Sequence, residues 1–203
     1  MRAFLFVTAF CAALQGWAQP ADGQAHRDSS AAYWSRMEAE FADSLISPLT
    51  AEDRERFTRI ERFPYDPAYR VLARFSPAER PKMFKMRTST SREPLYRPYG
   101  TLTFSLQGKD HTLTVYQNVE LLEKDGYADY LFLPFTDATN GEETYGGGRY
   151  LDLRSPLGPE VELELNNAYN PYCAYNARYS CPVPPKENHL AVGVRAGVLK
   201  YHD

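Results

Sequence analysis

From Pro64 onward the apolar side chains recur every second residue, and this period of two is the strongest constraint on what the chain can fold into. Tyr69, Val71, Ala73 and Phe75 alternate with Arg70, Leu72 and Arg74, giving one apolar and one mixed face. Leu102, Phe104 and Leu106 alternate with Thr101, Thr103 and Ser105 in the same way. Gln107-Gly108-Lys109-Asp110 reads as a turn into a second strand over 112–116. Further strands are expected over 130–135, 149–153, 161–165 and 190–195, and Ser76-Pro77-Ala78-Glu79 reads as a single capped helical turn. Many short strands with Gly and Pro between them predict a mainly β fold: an antiparallel sandwich or barrel-like core with one or two N-terminal helices, α+β overall. Fifteen Tyr and eleven Phe supply a ring-packed interior for such strands. No internal repeat is evident.

Before Pro64 the spacing is helical. Tyr33, Trp34, Met37, Phe41, Leu45 and Ile46 recur at three- and four-residue intervals, and Ser47-Pro48 stops the run. Thr50 with Asp53 forms a helix N-terminal box for a brief second helix expected to carry Phe57 and Ile60. This segment, 31–62, belongs to a single domain over 31–203, preceded by a polar, flexible lead-in over 19–30.

Residues 1–18 read as an address. Arg2 is followed by an apolar stretch of twelve residues, Ala3 to Leu14, and Gly16-Trp17-Ala18 places small residues where a signal peptidase cuts. Twelve residues fall short of the ~20 that a membrane-spanning helix needs, and no later apolar run approaches that length. Cys11 follows Phe10, where a lipid-attachment site wants a small residue. A cleaved signal peptide and a periplasmic or extracellular protein are expected. The 23 basic and 26 acidic side chains give −3 with no block of either sign, which argues against nucleic acid as partner.

Three stretches together resemble a bacterial family known as domain of unknown function 1684. They are Phe63-Pro64-Tyr65-Asp66-Pro67-Ala68-Tyr69-Arg70-Val71, then Glu143-Thr144-Tyr145-Gly146-Gly147-Gly148-Arg149-Tyr150-Leu151-Asp152, and Asn167-Ala168-Tyr169-Asn170-Pro171-Tyr172-Cys173-Ala174-Tyr175 continuing to Cys181-Pro182-Val183-Pro184-Pro185-Lys186-Glu187-Asn188. The resemblance spans about 33–198. It implies relatives with and without export signals, and it implies no activity.

Chemistry concentrates in two irregular segments. Over 136–150 the chain passes Glu142, Glu143 and Tyr145, then three glycines including Gly147, and reaches Arg149. Such glycines each weaken regular structure by roughly 0.5–1 kcal/mol relative to Ala, so their backbone freedom serves something. Backbone N–H groups there can form an anion nest with Arg149 adding a fork. The alternative is a tight structural turn with Arg149 paired to Glu142 or Glu143. The second segment, 166–188, carries Tyr169, Tyr175, Glu187 and Asn188. Six tyrosines fall between Tyr145 and Tyr179, and phenols suit the recognition of rings and sugars as well as plain packing.

Cys173 and Cys181 are the cysteines that remain after cleavage. Export makes a disulfide the first expectation, worth ~2.6 kcal/mol by chain entropy; inert buried thiols, a reactive cysteine and a metal site with His189 stay open. The His189 spacing matches no usual zinc pattern, so no metal is expected, and no motif assigns a cofactor. No Gly-x-Ser-x-Gly elbow or His-Glu-x-x-His run occurs in the sequence. The leading expectation is an exported β-rich module binding a small polar or anionic ligand. The alternatives are an enzyme using Glu187, Tyr145 or a cysteine with Arg149 as charge stabiliser, and a structural envelope-associated protein without a pocket.

Overall fold

The computed structural model describes residues 21–201, so the expected leader over 1–18 lies outside the described residues. The chain opens with helices α1 (Ala21–Ala42) and α2 (Ala51–Arg56). Then come β1 (Arg70–Pro77), β2 (Phe84–Lys85), β3 (Leu95–Leu106), β4 (Lys109–Asn118), β5 (Tyr130–Asp137), β6 (Arg149–Arg154), β7 (Glu160–Glu164) and β8 (His189–Leu190). They form one sheet in the order β6-β5-β4-β3-β1-β7, with β2 added to β3 and β8 to β5. The sheet is antiparallel except where β8 runs parallel to β5, and it curls into a half-barrel. The barrel-like β fold expected from the alternation is therefore the fold observed.

The alternation positions the core. Leu102, Phe104 and Leu106 of β3, Leu113 and Val115 of β4, and Leu131, Leu133 and Phe135 of β5 point into one cluster with residues of β1 and β7. The β3–β4 hairpin turns through Gln107 and Gly108, both at positive φ, a turn whose twist matches its strands. The opposite face of the sheet is also covered: Tyr96, Tyr116, Phe132 and Tyr150 pack there with Met86.

Helix α1 begins at Ala21 rather than at Ala31, so most of the expected lead-in is helical. Ser30 Oγ donates to Asn167 Oδ1 at 2.6 Å and Trp34 Nε1 donates to the Asn166 carbonyl at 3.0 Å, tying the helix to the chain after β7. Trp34 and Phe41 are buried with Leu49, Ile60, Tyr175 and Val198. Leu45 and Ile46 fall beyond the helix end and are 90% and 58% exposed, against the stripe expected of them. Thr50 caps α2 by accepting from the Asp53 N–H, as its spacing predicts. That helix stops at Arg56, so Phe57 and Ile60 lie outside it.

Two further expectations change. Ser76 and Pro77 remain in β1, opposite Thr101 and Gly100, because pairing with β3 outweighs the local Ser-Pro helix signal. The strand expected over 190–195 shrinks to β8. Beyond Leu190 the regular ladder gives way to scattered bonds: the Val192 carbonyl accepts from the Ala138 N–H at 3.2 Å, the Val194 N–H donates to Asp137 Oδ1 at 3.1 Å, and the Val194 carbonyl accepts from Arg149 Nη2 at 2.8 Å.

Candidate functional site

Arg149 opens β6 and points into the barrel. Its Nη2 donates to Asp137 Oδ2 at 2.8 Å and to the Val194 carbonyl, while Nη1 donates to the Ala196 carbonyl. Neither the Arg149 nor the Asp137 side chain is exposed at all. A guanidinium closed in this way meets no ligand, so its expected part in anion capture or charge stabilisation is withdrawn. Its partner is Asp137, not Glu142 or Glu143.

The glycine-rich loop closes on itself too. The N–H groups of Glu142, Glu143 and Thr144 converge on the Thr139 carbonyl, and that of Gly148 reaches the Tyr145 carbonyl, so they build no anion nest. Asn140 cross-links the loop through Thr144 Oγ1 and the Tyr145 carbonyl. Glu143 forks onto exposed Arg195 at 2.9 and 3.0 Å, while Glu142 lies exposed. The glycines serve packing. A Cβ on Gly147 would stand 2.4 Å from the Tyr145 ring; one on Gly148, at φ +88, would stand 2.6 Å from the Phe135 carbonyl.

In the second segment Asn188 is fully buried and ties β4 to β5. Its Oδ1 accepts from the Thr114 N–H at 2.8 Å, and its Nδ2 donates to the carbonyls of Thr114 and Pro134 at 2.8 and 2.7 Å. Glu187 is exposed and accepts from the Tyr116 hydroxyl at 2.8 Å. Tyr175 is buried beneath α1 with Phe41, ring centroids 4.9 Å apart. His189 bonds Thr136 Oγ1, and no three His, Cys, Asp or Glu side chains converge as metal ligands among the described residues. Cys173 and Cys181 are free thiols in contact, not the expected disulfide: the Cys173 N–H donates to Cys181 Sγ at 3.1 Å, and Tyr145 Oη lies 3.8 Å from Cys173 Sγ.

The tyrosines that meet do so elsewhere. Tyr150, Tyr169, Tyr172 and Tyr179 line a cleft of about 510 Å³ between α1, the outer face of β5 and β6, and the chain from Tyr169 to Pro182. Helix α1 contributes Tyr33, Arg36, Met37 and Glu40; Tyr130 and Phe132 of β5 complete the aromatic wall. Phe132 packs edge-on against Tyr150 at 4.7 Å, and the Tyr150 hydroxyl donates to the Pro182 carbonyl.

Asp152 stands among these rings, paired across β6 and β5 with Phe132. Its Oδ1 accepts from the Tyr169 hydroxyl at 2.6 Å and the Tyr130 hydroxyl at 2.8 Å, both bonds falling on the same oxygen. The side chain keeps a solvent-exposed surface while protein crowds around it. This desolvation raises the carboxyl above its ordinary value, against the pull of the two phenol bonds and Arg154. Burial likewise raises Tyr130 and Tyr169, and Asp152 adds to it, so both phenols stay protonated and serve as donors.

Asp152 was not among the candidates of the sequence. The signal that finds it is the strand period: Tyr150, Asp152 and Arg154 share one face of β6 while Arg149, Leu151 and Leu153 share the other. Tyr33, Tyr96 and Tyr127, which also line the cleft, are distant in sequence and carry no local signal.

No curated protein matches the chain. The solution NMR structure of an uncharacterised protein of Haloarcula marismortui superposes with a TM-score of 0.69 at 34% sequence identity, covering 88% of this chain and 96% of the other. The family described as protein of unknown function DUF1684 matches residues 55–199. The strands, the buried Arg149 and the cleft wall from Tyr96 to Pro182 fall within that range, and the chain belongs to this family.

Proposed function

We propose that the protein is an exported small-molecule-binding module whose cleft takes a ligand carrying a basic or quaternary nitrogen. The observation that carries this reading is Asp152: Oδ1 is anchored by two phenols, Oδ2 accepts no hydrogen bond from the described residues, and tyrosine rings surround it. Ring faces and a partly desolvated carboxylate attract an organic cation together, each ring contributing roughly 0.5–2 kcal/mol. The cleft volume suits a small organic molecule. The small-ligand part of the sequence expectation is kept, and its anionic part is replaced because Arg149 is enclosed. Export rests on the leader pattern of residues 1–18.

Calorimetric titration with benzyltrimethylammonium, with its neutral carbon isostere and with benzoate tests the reading. Saturable binding of the cation alone is expected. Equal binding of the isostere, preference for benzoate, or no binding of the cation would overturn it. Sequencing the N-terminus of the secreted protein tests the leader, with Gln19 expected first.

A further inference from the structure

We propose that Cys173 and Cys181 form a redox-active dithiol in which Cys173 attacks and Cys181 resolves. The pair sits outside the ligand's carboxylate but at the border of the cleft, which Cys181 lines and which Tyr172 adjoins through the peptide bond to Cys173. Three features of its geometry favour exchange over inert packing.

The first is contact without a bond. The Cys173 N–H points at Cys181 Sγ at 3.1 Å, which sets the two cysteines side by side with both thiols free. The chain from Cys173 to Cys181 therefore needs only local adjustment to close a bridge.

The second is asymmetry of access. Cys181 is buried, and the Cys181 N–H and carbonyl are fixed to Ser89 Oγ at 3.1 Å and the Ser89 N–H at 2.8 Å. Cys173 is half-buried, the more exposed residue of the two, and on this difference it takes the attacking role.

The third is a donor set built around one sulfur. The Tyr145 ring lies over Gly147, where any side chain would displace it, and its hydroxyl stands 3.8 Å from Cys173 Sγ. A phenol O–H and the neighbouring thiol S–H donate to a sulfur that has lost its proton. Consistently, the bond from Cys181, with smaller help from Tyr145 and Ser89 and against burial, draws the Cys173 thiol down to about 6, while Cys181 is pushed up. Burial, then the bond to Cys173, raises Tyr145 to about 12, so it remains a donor at neutral pH. Tyr145 acts as a positioning residue.

The co-reactant is a low-molecular-weight disulfide, RSSR. The Cys173 thiolate attacks one sulfur of RSSR, whose S–S bond breaks as RS⁻ leaves and takes a proton. Cys181, losing its proton, then attacks Cys173 Sγ of the mixed disulfide, and the second RSH departs. The protein loses two protons and two electrons, and RSSR takes them up to become two RSH.

The test equilibrates the wild-type mature chain in glutathione buffers of graded redox ratio, then alkylates it and measures intact mass. The dithiol is expected to convert to a form about two mass units lighter with no alkylatable thiol, and to return on adding reduced glutathione. Cys181→Ser is expected to trap one glutathionyl group on Cys173. Cys173→Ser is expected to react at least roughly tenfold more slowly. Thiols that stay alkylatable at every ratio, a bridge that reduced glutathione cannot reopen, or an adduct found first on Cys181 would each overturn the proposal. The wild-type titration decides it even where a variant fails to fold, and none of these readouts depends on an organic cation binding Asp152.

Discussion

Arg149 and Asp137 meet at 2.8 Å in the barrel interior, and their union replaces a β-ladder. The guanidinium takes the carbonyls of Val194 and Ala196, and the carboxylate takes the Val194 N–H, so the C-terminal chain is stitched to β5 and β6 by two side chains. Removing one partner of a buried pair leaves the other charge uncompensated, at about 3–5 kcal/mol. Arg149→Met should lower stability by that amount in urea unfolding. Cation affinity in whatever fraction stays folded should be unchanged, whereas a ligand-contacting arginine would alter it.

Asn188 does comparable work between β4 and β5. Its amide faces the Thr114 and Pro134 carbonyls, so Asn188→Asp sets a carboxylate against two acceptors. An unsatisfied buried polar group costs about 1–3 kcal/mol, more when charged, and a loss of about 3 kcal/mol is expected at pH 7. The new carboxyl would be protonated more readily in the folded state than in the unfolded one. Stability relative to wild type should therefore recover as pH falls through its raised folded value. A deficit independent of pH would contradict this account.

The halves of this protein differ in how far the sequence discloses them. Strands β3 to β6 are legible because apolar residues at every second position have one physical explanation, burial of one face. The Leu190 stretch looks like another strand by that rule, but past Val192 its partners are the side chains of Asp137 and Arg149, which no local pattern encodes. The polar run before Ala31 looks unstructured, although Ser30 and Trp34 find acceptors at Asn167 and Asn166, more than a hundred residues away. The cleft was hidden for the same reason: Tyr33, Tyr130, Asp152 and Tyr169 come from α1, β5, β6 and the following loop. The glycine run drew attention as a ligand loop, yet its missing side chains make room for Phe135 and Tyr145.

Gly147→Ala tests that last point. The added Cβ collides with the Tyr145 ring, a side chain that can swing away, so the loss of stability should be small, roughly 1 kcal/mol. Its consequence should appear at Cys173. Wild-type alkylation should hold its rate as pH falls from 8 and drop near 6, where the thiolate is lost. With the Tyr145 donor displaced, the drop should come at higher pH, and Tyr145→Phe should shift it in the same direction. An unmoved profile in both variants would separate Tyr145 from the thiol.

Asp152→Asn separates stability from binding. In the folded state this carboxylate is desolvated among rings, and its raised value means that charging it opposes folding. The native state holds the proton more tightly than the unfolded state, so this group adds to stability as pH falls through the raised folded value. Above that value its charge is a standing cost. An asparagine Oδ1 can still accept from Tyr130 and Tyr169, so Asp152→Asn should keep the cleft intact and hold or raise the thermal midpoint at pH 7. Cation affinity should fall at least tenfold with loss of the charge, about 1.4 kcal/mol. In the wild type the affinity should decline as acid protonates Asp152, with a midpoint above the ordinary carboxylate value, and the variant should show no such midpoint. A variant that loses stability and binding together would make Asp152 a structural acceptor for its two tyrosines and nothing more.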